Sequence, residues 1–177
     1  MIKVKDLEFE ISITNEDIQH KIEALAERLN EDYEGKCPLL IAILNGSFVF
    51  AADLVRHLTF DHEIQFAKVS SYEGTDTTGV VKTLIGVTAD LADRDVIIVE
   101  DIVDTGTTMA ALIQNLETMG PRSLEVCTLL MKPEKLTVDL DVKYCAIELP
   151  NIFVVGYGLD YDGLGRNYPD IYSVVNN

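Results

Sequence analysis

The stretch VIIVEDIVDTGTTM, Val96 to Met109, decides how the rest of this chain reads. Four β-branched apolar residues, Val96, Ile97, Ile98 and Val99, predict a strand covered on both faces, as in the parallel sheet of an α/β domain. Glu100 and Asp101 follow that strand and Asp104 opens a turn. Thr105-Gly106-Thr107-Thr108 then leads into Met109, Leu112, Ile113 and Leu116, an apolar stripe at helical spacing. The first N–H groups of a helix lack intrahelical partners and sit at the positive end of its dipole, so an anion can dock there. Gly106 permits close backbone approach, and the hydroxyls of Thr105, Thr107 and Thr108 add donors suited to phosphate oxygens. Three carboxylates would repel a bare phosphate. They are expected to face another part of the same ligand: sugar hydroxyls, a divalent cation or a proton to be moved. An ordinary strand-to-helix turn with Thr105 as N-cap accounts for the threonines and the glycine but not for the acids.

Working outward, the same pattern recurs. Leu39 to Leu44 (LLIAIL) is a second continuous apolar strand, followed by Asn45-Gly46-Ser47 and by Phe48, Ala51, Ala52 and Val55 at helical spacing, with Ser47 as the N-cap. Two strand-turn-helix units imply a parallel sheet with its ligand at the strands' carboxyl ends. Ile64 to Ser70 and Val80 to Val87 read as strands joined by the polar link Ser71 to Gly79. That link is longer than a hairpin needs, which favours a lid over a plain loop. After Gly120-Pro121, a strand from Leu124 to Met131 ends at Lys132. A lysine there is either a solvated strand end or a group facing the ligand crevice, and spacing leaves both open. Val142 to Ile147, Phe153 to Tyr157 and Ile171 to Val175 are short strands, with Asp160, Tyr161 and Asp162 in a glycine-rich loop before Arg166. At the N-terminus Leu7, Phe9, Ile11 and Ile13 alternate with polar residues as in a half-buried strand. Asn15 offers a cap to a helix that carries Ile18, Ile22, Leu25 and Leu29 to about Asp32.

With 177 residues and 47% hydrophobic content, the chain suits a single domain over residues 1–177. Lys and Arg total 14 against 30 Asp and Glu, a formal net charge of -16, which argues against a nucleic-acid or anionic-lipid partner. Cys37, Cys127 and Cys145 lie far apart without metal-ligand spacing and are expected as reduced core residues. No apolar run approaches the ~20 residues of a membrane span, and a soluble, cytoplasmic protein is expected. His20, His57 and His62 share no motif and are expected on the surface or at helix ends.

The central stretch resembles the 5-phosphoribosyl 1-pyrophosphate motif of type I phosphoribosyltransferases. Five segments together, LNGS at 44–47, SSY at 70–72, VEDIVDTGTTM at 99–109, LLMKP at 129–133 and FVVGYGLDYDGLGR at 153–166, resemble the hypoxanthine-guanine phosphoribosyltransferase family over nearly the whole chain. The resemblance implies an α/β fold with a central, mostly parallel sheet flanked by helices, a small hood, and a flexible catalytic loop opened by Ser71 and Tyr72. It implies transfer of phosphoribose to a 6-oxopurine with release of pyrophosphate, Mg²⁺ as cofactor, and a homodimer or homotetramer.

Residue by residue, the resemblance implies that Glu100 and Asp101 hold the ribose hydroxyls, directly or through Mg²⁺. Asp104, Thr105, Gly106, Thr107 and Thr108 cradle the 5′-phosphate, and Asp104 is also the proton acceptor beside the purine imidazole. Asn45, Gly46, Ser47 and Arg166 hold pyrophosphate. Phe153 stacks on the base, the Val154 backbone meets its edge, and Lys132 donates to the 6-oxo group. Asp160 belongs to the purine side and is a ligand of a second Mg²⁺. Two departures stand out. Many relatives have a basic residue where this chain has Asn45. Gly163-Leu164-Gly165 replaces a bulkier approach to Arg166, which is therefore expected on a looser loop. A xanthine- or orotate-directed enzyme is the nearest alternative. A regulator that senses phosphoribosyl pyrophosphate is a more distant one, opposed by the charge.

Overall fold

The computed structural model describes residues 1–70 and 82–175. In chain order its elements are β1 (Ile2–Val4), β2 (Leu7–Ile13), α1 (Asn15–Asp32), β3 (Leu39–Leu44), α2 (Phe48–His57), β4 (Glu63–Ser70) and β5 (Lys82–Ile85). There follow β6 (Asp95–Val103), α3 (Thr107–Glu117), β7 (Ser123–Met131), a 3-10 turn at Pro133–Lys135, β8 (Tyr144–Glu148), β9 (Val154–Val155) and β10 (Ile171–Val174). Six strands form one sheet in the order β5-β4-β3-β6-β7-β8, parallel except for the antiparallel β4–β5 pair.

The continuous apolar runs have the cause predicted for them. Successive residues of a strand point to opposite faces. Leu40, Ala42, Ile97 and Val99 pack with Ile18, Ile22, Leu29, Phe50 and Leu54 of α1 and α2. Their neighbours Leu39, Ile41, Ile43, Val96 and Ile98 pack with Met109, Leu112 and Leu116 of α3. Both faces are therefore dry, and a polar residue in either run would be buried without a partner. Among the parallel strands, taken in chain order, the second lies outside the first and the third follows on the first's other side. The crevice between the carboxyl ends of β3 and β6 is thus the topological switch point, where ligands of open α/β sheets bind.

The hood is a four-stranded antiparallel sheet, β1-β2-β10-β9, around Val4, Phe9, Val155 and Tyr172. Strand β1 was not legible in the sequence: Ile2-Lys3-Val4 does alternate apolar and charged residues, but three residues are too few to signal a strand. The alternation expected of β2 is incomplete: Phe9 is fully buried, whereas Ile11 is 52% exposed. The segment after β9 is tied to the helices through Tyr157, whose hydroxyl donates to Asp53 of α2, while Gln19 of α1 donates to both (3.0 and 3.1 Å). Helix α1 is capped by Thr14 rather than Asn15: Asp17 N donates to the Thr14 hydroxyl oxygen at 3.2 Å. Of the cysteines, Cys127 is buried and its thiol is pushed up by burial, but Cys37 is exposed and so is not the core residue expected. Among the described residues, no helix is long and apolar enough to cross a membrane.

At the far end of the sheet, Asp95 begins β6 with its side chain buried. It accepts from Arg122 Nε at 3.0 Å and Ser123 Oγ at 2.7 Å, with a second bond from Arg122 Nη2. Chiefly the Arg122 hydrogen bonds lower its carboxyl to about 2. The folded pKa lies below the unfolded value near ~3.9, so this stabilisation is complete above that value and lost as pH falls through about 2. Asp95→Asn should therefore lower stability at neutral pH by ~1–3 kcal/mol and flatten the acid limb between pH ~4 and ~2, as read by denaturant melts across that range. Parallel wild-type and variant curves over that window would contradict it.

Candidate active site

Three neighbouring strands, β3, β6 and β7, deliver their carboxyl ends to one place. The β6 ladder continues to Val103, with Glu100 opposite Thr128, Ile102 opposite Leu130 and Val103 opposite Met131. Glu100 and Asp101 are therefore inside the strand, not after it as read from the sequence: backbone pairing outlasts the apolar run. Asp101 N donates to Glu100 Oε1 (3.1 Å) and Ile102 N to Asp101 Oδ1 (2.9 Å).

Beyond Val103 the chain turns through Asp104 and Thr105 to Gly106, which takes the N-cap position of α3 with φ of 79°. The ordinary-turn alternative, with Thr105 as cap, is therefore not what forms. A left-handed residue is required there, and a side chain would also press on Val138 and Leu136. Thr105 and Thr107 share a hydroxyl contact at 3.3 Å, and Thr137 bonds to both the Thr107 hydroxyl (3.3 Å) and the Thr105 carbonyl (3.2 Å). Glu100, Asp104, Thr105, Gly106 and Thr108 line a cavity of about 110 Å³ over the helix start, several times the ~30 Å³ share of one water in the liquid. Backbone N–H groups at a helix N-terminus, flanked by hydroxyls, suit a phosphate.

The Asn45-Gly46-Ser47 turn lies alongside. A Cβ on Gly46 would fall on the Asp101 carboxylate, so the two segments touch through the bare glycine backbone. Ser47 differs from expectation: it makes no side-chain cap, and its buried hydroxyl donates instead to Ile43 O at 2.6 Å. What this turn offers a ligand is backbone and Asn45, not the serine hydroxyl. Gly46→Ala should displace Asp101 or the turn, lowering kcat/KM for the phosphoribosyl pyrophosphate that the family resemblance implies by ~10–100-fold, the scale of an ångström misplacement. Steady-state kinetics would check this, and a wild-type value would mean that the contact is incidental.

Lys132, left open in the sequence, is not a solvated end. It is 5% exposed, its N–H donates to Val103 O at 3.0 Å, and its Nζ lies 3.6 Å from Asp104 Oδ1. The other Asp104 oxygen accepts from Lys135 Nζ at 2.7 Å. Lys135 and Thr137 were missed by sequence reasoning, since a lysine and a threonine in a polar link carry no motif.

From the hood side, Phe153 precedes β9 and is 41% exposed, with its ring against Phe9 and edge-on to Tyr161. Val154 is buried in β9. Arg166 is held more firmly than expected: it donates to Gly158 O at 2.7 Å and pairs with Asp160 at 2.6 Å. The other Asp160 oxygen accepts from Gly163 N at 2.6 Å, so this loop is closed by its own acid and base. The Gly158 backbone lies against the Gly46 carbonyl and joins this loop to the Asn45–Ser47 turn. Ser71 and Tyr72 lie outside the described residues.

Burial, and then the Asp101 carboxylate, push Glu100 well above the usual carboxylate range. Two adjacent hard oxygen donors with that mutual cost fit a magnesium ion, which takes one or two carboxylates and completes its shell with water and substrate oxygens. Among the described residues no group of three or more His, Cys, Asp or Glu side chains could hold a metal unaided. A larger cavity, about 820 Å³, opens at the opposite end of the sheet. Its Arg122 and Lys143 are already paired with Asp95 and Asp32, and it lies away from the switch point.

Known proteins resemble this chain over most of its length. The family model described as "phosphoribosyl transferase domain" matches residues 13–162. The hypoxanthine-guanine phosphoribosyltransferase of Staphylococcus aureus is 41% identical over 163 residues, covering 92% of this chain and 91% of its own. That of Mycobacterium avium is 43% identical over 159 residues, covering 86% and 78%. A crystal structure of the Bacillus anthracis hypoxanthine-guanine phosphoribosyltransferase superposes with a TM-score of 0.89 at 42% identity, covering 96% of this chain and 98% of that one. A phosphate-ready helix start at the switch point, the acids beside it and these likenesses agree: the chain belongs to the hypoxanthine-guanine phosphoribosyltransferases, within the phosphoribosyltransferase family.

Proposed function

We propose that this protein transfers phosphoribose from 5-phosphoribosyl 1-pyrophosphate to hypoxanthine or guanine, giving the nucleoside 5′-monophosphate and pyrophosphate in purine salvage. The observation that carries this reading is the buried Lys132 beside Asp104 at the mouth of the phosphate turn. An ammonium only donates, so it suits an oxo acceptor, and the carboxylate next to it suits the proton that the purine imidazole loses.

As the purine nitrogen bonds to ribose C1, the C1–oxygen bond breaks and its electron pair leaves on pyrophosphate. Positive charge grows on the sugar and negative charge on the leaving group. Glu100 and Asp101 hold the ribose hydroxyls and provide the oxygen donors for Mg²⁺, which when bound offsets the negative charge of pyrophosphate. The N–H groups and hydroxyls of residues 105–108 fix the 5′-phosphate. Asn45, the Gly46 and Ser47 backbone, and Arg166 receive pyrophosphate. Arg166 would reach it by exchanging Asp160 for the ligand, and Asp160 would then be the oxygen donor for a second Mg²⁺. Phe153 covers the base, the Val154 backbone meets its edge, and Asp160 closes the purine side. The loop from Ser71 and Tyr72 excludes water during transfer. The protein acts in the cytoplasm as a homodimer or homotetramer.

Chromatographic detection of inosine or guanosine 5′-monophosphate from phosphoribosyl pyrophosphate and each base tests the reading. Product from orotate alone, or from xanthine alone, would replace it with the corresponding base-specific enzyme.

A further inference from the structure

The two oxygens of Asp104 stand in different surroundings. The 3-10 turn after β7 is closed by Lys135 N donating to Lys132 O at 3.0 Å, which brings both lysines to the same carboxylate. Lys135 Nζ donates to Oδ2 at 2.7 Å. Lys132 Nζ lies 3.6 Å from Oδ1, beyond hydrogen-bond reach, and Oδ1 is buried without a hydrogen-bond partner among the described residues. A buried carboxylate oxygen left open is costly unless something arrives to fill it. The Asp side chain turns easily about its last torsion, and its oxygens are otherwise equivalent. Here Lys135 makes them different.

We propose that Lys135 is a positioning residue for the transfer: by gripping Asp104 through Oδ2 it keeps Oδ1 free and aimed at the purine imidazole. This rests on the phosphoribosyl-transfer reading above and adds to it. In the step, the imidazole proton passes to Oδ1 as the purine nitrogen bonds to C1 and the pyrophosphate oxygen takes the electron pair of the broken bond. Lys135 remains an ammonium throughout and supplies no proton. Without it the carboxylate is free to rotate, and its share of reactive orientations falls.

The test is a double-mutant cycle of Lys135→Met with Asp104→Asn, with Lys135→Arg and Lys135→Gln alongside. In the Asp104 background, Lys135→Met should lower kcat about 10-fold while KM for both substrates stays within about 2-fold, the pattern of an interaction that acts in the transition state. Lys135→Arg, which keeps the charge and donor, should recover kcat to within about 3-fold of wild type. In the Asp104→Asn background Lys135→Met should cost less than about 2-fold, because the group it positions is already gone. Lys135→Gln keeps a polar head and carries the same comparison if the methionine variant folds poorly. Wild-type kcat in both Lys135→Met and Lys135→Gln would overturn the proposal, as would a full additive loss in the Asp104→Asn background. If the wild-type protein makes no nucleotide, or Asp104→Asn keeps full turnover, the transfer reading itself fails. If Asp104→Asn is crippled and the Lys135 variants are not, only the positioning role falls.

Discussion

Asp104→Ala is expected to lower kcat by ~10²–10⁴ and to leave the affinity for phosphoribosyl pyrophosphate within a few-fold of wild type. The carboxylate lies between the acidic pair of β6 and the turn into α3, and one of its oxygens is buried without a hydrogen-bond partner among the described residues. On the proposed mechanism, removing it takes away the acceptor for the imidazole proton but leaves the N–H groups of α3 that are assigned to phosphate. It also strips the nearby anion from the buried Lys132 ammonium, so a stability loss accompanies the alanine variant. Asp104→Asn separates the two effects. It keeps the shape and loses the base, so its kcat should fall as far while its melting temperature stays nearer wild type. Turnover close to wild type in both variants would remove Asp104 from the proton transfer.

Lys132→Met is expected to lower kcat/KM for hypoxanthine and guanine by ~5- to 150-fold, the equivalent of one unmet polar contact at ~1–3 kcal/mol. Methionine has nearly the length of lysine and fits an apolar setting, so burial at this position is not itself the obstacle. The loss should fall on the base, because the phosphate turn belongs to β6 and α3 rather than to β7. Lys132 also stands near Asp104, so lower turnover alone would not prove that it reads the base. The discriminating quantity is the ratio of kcat/KM for hypoxanthine to that for adenine. That ratio should shrink in the variant, since adenine presents an amine where hypoxanthine presents the oxo acceptor. An unchanged ratio would assign Lys132 to Asp104 alone and move base selection elsewhere in the pocket.

The parts of this site that local chemistry dictates were readable in the chain. Unbroken apolar runs at Leu39–Leu44 and Val96–Val99, short and bounded by turn residues, read as strands dry on both faces, and they are so in the structure. Their adjacency at a switch point is a matter of sheet order, which local chemistry does not record. The unread parts are contacts between distant segments. Asp101 meets Gly46 and Lys135 meets Asp104 only because β3, β6 and β7 are neighbours, and no spacing rule records this. Ser47 looked like a cap because serine commonly is one, but a carbonyl of the preceding strand was within reach of its hydroxyl. Gly163 and Gly165 suggested slack around Arg166. That inference counted backbone freedom and could not count the Asp160 and Gly158 oxygens that hold the guanidinium.

The proposed phosphoribosyl transfer is expected to need both a divalent cation and a 6-oxopurine. An acidic site on a chain of net charge -16 must offset the charge of pyrophosphate before it can bind it, and the acids that flank the turn accept cations. The direct measurement is pyrophosphate release from phosphoribosyl pyrophosphate with hypoxanthine, guanine, xanthine, adenine and orotate in turn, each with Mg²⁺ and after exhaustive chelation. The expected result is release with hypoxanthine or guanine that is lost on chelation and restored by Mg²⁺ or Mn²⁺, with little from adenine or orotate. Release from adenine or orotate at the hypoxanthine rate, or full turnover in the chelated enzyme, would contradict it.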